Sequence, residues 1–142
     1  MNDWTDRTAP SLDDFEEIAT AAWAALPEQF RALAGHVPCA VSEFPDEETI
    51  REMELETEFD ILGLFRGVGL PQGAGNPQTG QLPNQIWLYR RPILDYWVES
   101  EEGETLGQII THVLVHEIGH HFGFSDEDME AIEAQAALEE QR

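Results

Sequence analysis

The chain has 142 residues, 42% of them hydrophobic, which is enough for one core and short of two. Twenty-nine acidic residues stand against seven basic ones, all of them Arg, for a formal net charge of -22. The missing Lys excludes a Walker-type phosphate loop, a pyridoxal Schiff base and a lysine nucleophile, and the acid excess repels nucleic acid and anionic membrane surfaces alike.

The charge is spread evenly, -12 over residues 1–71 and -10 over residues 72–142, a pattern that reads as solubility before it reads as steering of a cationic partner. Cys39 is the only cysteine, so no intrachain disulfide and no cysteine zinc cluster is available. It falls in an expected strand and reads as a small buried apolar residue. The order Met1-Asn2-Asp3-Trp4-Thr5-Asp6-Arg7 lacks the basic-then-apolar signature of a signal peptide, and no apolar run reaches membrane-spanning length. The expectation is a soluble cytoplasmic protein with no nucleic-acid and no membrane partner. Residues 1–142 read as one domain, with 1–10 a flexible N-terminal tail.

Residues 11–34 carry Leu12, Phe15, Ile18, Ala22, Trp23 and Leu26 at helical spacing, and Ser11 with Asp14 resembles a capping box. Pro27 interrupts that pattern, so a kink or a second short helix is expected there. Val37 to Phe44 reads as a strand after Gly35. Eight acids among the fifteen residues 46–60 predict a solvated helix face or a mobile loop. Ile61 to Phe65 is a short apolar run suited to a strand or a buried connector. Pro71 to Gln85, rich in Gly, Pro, Gln and Asn, reads as a long loop inside a segment without charged residues between Arg66 and Arg90. Gly67 and Gly69 do not complete a dinucleotide fingerprint, because Gln72 stands where a third Gly belongs. Gln85 to Arg90 alternates as a mostly buried strand, and Pro92 to Ser100 fits one short helix. Thr105 opens the most regular helix, with Leu106, Ile109, Ile110, Val113, Leu114 and Ile118. Gly123 ends it, and Ser125 with Asp128 caps a final helix.

The chemistry concentrates in His116-Glu117-Ile118-Gly119-His120-His121-Phe122-Gly123-Phe124-Ser125-Asp126. Helical positions four apart lie one turn above the other on one face, so His116 and His120 can aim ring nitrogens at one ion. Zinc takes such nitrogens at about 2.0–2.1 Å. Glu117, one step round the helix, is placed to take a proton from water on that ion and pass it to a leaving amine. Gly123 permits the left-handed turn that brings Asp126 back as third ligand. Glu127, Asp128 and Glu139 are the substitutes for Asp126, the last only if the final helix folds back over the site. The His-Glu-x-x-His core alone arises in roughly one of fifty shuffled sequences of this composition, whereas the extended pattern is far rarer and carries the inference.

Three further residues are candidates for roles beyond the ligands. His112, one turn before His116, reads as a packing residue or as a group orienting a ligand or facing substrate. Met129 reads as core or as a methionine beneath the metal. Tyr89, like Tyr96, carries a hydroxyl suited to a transition-state oxyanion. His121 points roughly 100° away from His120 and off the metal.

The extended motif, with Leu62-Gly63-Leu64-Phe65-Arg66-Gly67 and Ile86-Trp87-Leu88-Tyr89-Arg90-Arg91-Pro92, resembles the zincin-like metallopeptidase family of short bacterial proteins, sometimes called minimal zincins. The likeness covers about residues 11–135. It implies an α+β fold, a small mixed sheet of about three to four strands packed on a long N-terminal helix and the motif helix. It also implies one zinc ion held by His116, His120 and Asp126, with Glu117 as general base. Only sixteen residues follow Asp126, so the lower subdomain of larger zincins has no counterpart and the substrate cleft is expected to be rudimentary or completed by a protein partner. Peptide or unfolded-protein hydrolysis by a Glu-activated, metal-bound water is the leading expectation. The alternative is a metal-binding interaction or regulatory protein with the same fold and little or no hydrolysis.

Overall fold

Three capping boxes and a left-handed glycine set the main helix boundaries in the computed structural model, which describes residues 8–35, 37–66, 85–101 and 103–140. Ser11 and Asp14 satisfy each other's backbone N–H groups and open α1 (Leu12–Ala25). Pro27 does not merely kink that helix. It precedes a separate α2 (Glu28–Ala34), because a proline has no N–H to donate but suits the entry to a new first turn. The expected strand at 37–44 shortens to β1 (Cys39–Ser42). The acidic stretch holds α3 (Glu47–Glu52), with Asp46 accepting from the Thr49 N–H at its start. Then come β2 (Gly63–Arg66), β3 (Gln85–Tyr89) and α4 (Arg90–Glu99).

Thr105 and Gln108 open α5 (Leu106–His121) with a second reciprocal box. At its end Gly123, with φ of 80°, lets the Phe124 N–H reach the Gly119 carbonyl and the Gly123 N–H reach that of His120. This pair of bonds is a Schellman stop. The chain reverses and enters α6 (Asp126–Glu140), whose first turn is closed by Ser125 and Asp128. The expected loop at 71–85 lies, save for Gln85, outside the described residues. So do the Gly67–Gly69 pair, residues 1–7 of the expected tail and the side chain of Glu139.

The three strands form one mixed sheet in the order β1-β3-β2. β1 runs parallel to β3, with Cys39 opposite Ile86, and β2 runs antiparallel, with Gly63 opposite Leu88. α1 lies against β1 and α5, and α5 lies under β2 and β3. Between them sits one core of Phe15, Ala19, Ala22, Leu26, Ile86, Leu88, Ile109, Ile110, Leu114 and Ile118. β2 crosses α5 so closely that a Cβ on Gly63 would stand 2.6 Å from the Val113 side chain and 2.9 Å from the Trp87 carbonyl. The architecture is the expected α+β arrangement with a three-stranded sheet. Cys39 departs from expectation: it is exposed, because β1 is an edge strand and its burial alternates poorly. Among the described residues no helix is long and apolar enough to cross a membrane.

Candidate metal centre

The site is built on the C-terminal half of α5, a helix buried along most of its length by Ile109, Ile110, Val113, Leu114 and Ile118. That burial fixes the helix rotation, and the remaining face carries His112, His116 and His120. The His112 and His116 rings stack with centroids 3.9 Å apart, and those of His116 and His120 are separated by 5.8 Å and tilted by 54°. His120 is exposed and His116 half-buried.

α6 folds back along α5. Met129, fully buried, lies under Gly119, where a Cβ would stand 2.6 Å from its Sδ. One turn further along α6, the Glu133 carboxylate accepts from both His116 Nε2 at 2.9 Å and His112 Nδ1 at 3.1 Å. Asp126, at the first position of α6, is exposed and shares a solvent-open hollow with His112, His116, Glu130 and Glu133. His116 and Asp126 thus meet in one hollow, while His120 stands a turn further along α5 toward the chain reversal. Among the described residues, the group whose ligand atoms all lie within 4.8 Å of one another is His112, His116 and Glu133.

Glu117 leaves α5 on the β2 side, where the His120 ring acts on it. Its carboxylate faces the backbone N–H of Phe65 on β2, which is turned away from β3 toward the outer edge of the sheet among the described residues. Burial pushes the Glu117 carboxyl above the ordinary carboxylate value, and the His120 ring and the Phe65 N–H pull it partly back. Tyr89 lies on this same side. Its phenol is pushed up chiefly by burial, with the Asp46 and Glu117 charges acting in the same sense and Arg66 and a Thr49 hydrogen bond opposing them. Arg66 in turn donates to the Thr49 hydroxyl at 2.8 Å. His121 packs its ring 4.4 Å from that of Phe65, and Tyr96 is exposed on α4.

Glu133 is the residue that reading the sequence missed. It lies seven positions after Asp126, two turns along the same face, so the spacing alone could have found it once α6 was known to fold back.

Imidazoles on one helix with carboxylates on an antiparallel neighbour are a donor set that suits zinc. The contacts of Glu133 with His112 and His116 are also close to the roughly 3.4 Å between ligands around a tetrahedral zinc. The residues present therefore fit the ion. No curated protein matches the chain significantly. The family model described as zincin-like metallopeptidase matches residues 34–136, from the end of α2 through the motif helix and most of α6, and the chain belongs to that family.

Proposed function

We propose that the chain is a zinc-dependent peptidase acting on short or unfolded peptides, with His116, His120 and Asp126 holding the ion and Glu117 serving as general base. When bound, zinc would polarise the scissile carbonyl and lower the pKa of the attacking water. The observation that carries the reading is Glu117: a half-buried carboxylate, raised above the ordinary carboxylate value by burial, next to His116 in the chain and within the influence of the His120 ring. A carboxylate made more basic by burial is better suited to take a proton from water and to return it to the leaving amine. The edge of β2 beside it, outermost among the described strands, offers backbone groups on which an extended peptide can lie as an added strand. Tyr89, on the same side of α5, is the candidate for steadying the developing oxyanion.

The test is metal content and cleavage of an unfolded-protein panel by wild type, His116→Ala and Glu117→Ala. Wild type is expected to hold about one zinc per chain and His116→Ala none. Glu117→Ala should keep zinc and lose cleavage by about 100-fold or more. Cleavage by Glu117→Ala at the wild-type rate removes it from the mechanism. Zinc without cleavage in wild type supports the non-hydrolytic metal-binding reading, which the hold of Glu133 on His116 favours.

A further inference from the structure

The helical hairpin α5–α6 sets three imidazoles, His112, His116 and His120, against three carboxylates, Asp126, Glu130 and Glu133. The repeat is one turn on each helix, so the central His116 has neighbours that can complete a site in either direction. Toward the chain reversal these are His120 and Asp126. Toward the middle of α5 they are His112 and Glu133, which already meet His116: one carboxylate spans both rings at 2.9 and 3.1 Å, and the rings are stacked at 3.9 Å. This second set is preorganised, because a divalent ion entering it would take over contacts that the imidazole N–H groups now make to Glu133. It opens onto a hollow of about 430 Å³ whose further lining residues, Asp126 and Glu130, add negative charge for an incoming cation.

We propose that His112, His116 and Glu133 form a second site for a zinc-class divalent cation, sharing His116 with the set formed by His116, His120 and Asp126, so that one chain holds one ion in either of two registers. The ion in the His112 register is silent toward hydrolysis. That register leaves out His120, which lies three positions from Glu117 and acts on its carboxylate, and uses His112, five positions away and turned from it round the helix. The hairpin would thus park its metal one helical turn from where it works, a conclusion that rests on the ligand set given under the proposed function.

Cobalt(II) reports the outcome without any activity assay, because its visible absorption records the number and kind of ligands. Full-length wild type, His120→Ala, His112→Ala, Glu133→Gln and His120→Ala/Glu133→Gln would be titrated with cobalt(II) and zinc by absorption and calorimetry. Circular dichroism of each metal-free variant would confirm the fold. Wild type is expected to bind about one ion. His120→Ala should still bind one ion, with a cobalt spectrum altered from wild type, and adding Glu133→Gln should weaken that residual binding by about 10–100-fold. Loss of all binding in His120→Ala, with His112→Ala and Glu133→Gln unchanged, overturns this proposal and leaves the proposed ligand set standing. Two ions per wild-type chain overturns the sharing of His116. If His112→Ala abolishes binding and His120→Ala leaves it at the wild-type level, the proposed ligand set fails while the His112–His116–Glu133 site stands.

Discussion

Glu117 is one of 29 acidic residues, yet it differs from most of the others in being drawn out of water against a strand edge. Because its folded pKa lies above its unfolded value, the folded state holds that proton more tightly than the unfolded chain does. Its contribution favours folding in acid and is lost as pH rises from the unfolded pKa through the folded one. Glu117→Gln keeps an oxygen for the Phe65 N–H and discards the charge. In metal-free protein it is expected to raise the Tm by on the order of 2–5 °C at neutral pH, an advantage that fades toward about pH 4. Melting both proteins at the two pH values checks this, and an equal advantage at both contradicts it. Thr111 poses the opposite problem: its hydroxyl is buried on α5 with no hydrogen-bond partner among the described residues. Thr111→Val keeps the shape and removes the orphan, so chemical denaturation should show a gain of about 1 kcal/mol. Much of the site was legible at this scale, since the periodicity of the motif puts His112, His116 and His120 on one helix face. The partner of His116 was not, because no local pattern announces that Glu133 will reach across from another helix.

Two glycines govern how elements approach α5, and they differ in what stands in the way. At Gly119 the obstacle is the end of the flexible Met129 side chain; at Gly63 it is Val113 together with the Trp87 backbone carbonyl. Alanine at either is expected to cost about 1–3 kcal/mol by overpacking. The rescues should part company. Met129→Ala should cost markedly less in the Gly119→Ala background than alone, whereas Val113→Ala should leave Gly63→Ala unrescued, because a carbonyl in the β3 ladder has nowhere to go. Denaturation of the two double-mutant cycles measures this directly. The elements themselves were largely readable. Caps at Ser11, Thr105 and Ser125 and the stop at Gly123 are local side-chain or backbone chemistry, and they mark α1, α5 and α6 in the sequence. Strand limits were less so: β1 is four residues long where eight read as extended, because pairing with β3 and not propensity decides how far a strand runs. The exposure of Cys39 has the same origin, a position at the sheet edge that no single strand encodes.

At the scale of the whole molecule, a charge of -22 on 142 residues means that the folded state works against its own repulsion. Sodium chloride raised from about 0.02 M to about 0.5 M shortens the screening length several-fold and is expected to lift the Tm by several degrees. A flat profile in the same melts would mean that the charges are spaced widely enough not to matter. The sheet order has a consequence for how such a chain can be made. Among the described residues β1 and β2 do not pair with each other, and each finds its ladder only in β3. The described residues before Gln85 therefore own two strands and no ladder between them. The apolar face of α1 waits still longer, since α5 follows β3 in the chain. The described part of the first half has no sheet of its own to rest on, and α5, which carries the candidate metal ligands, also supplies the surface on which α1 and β2 settle.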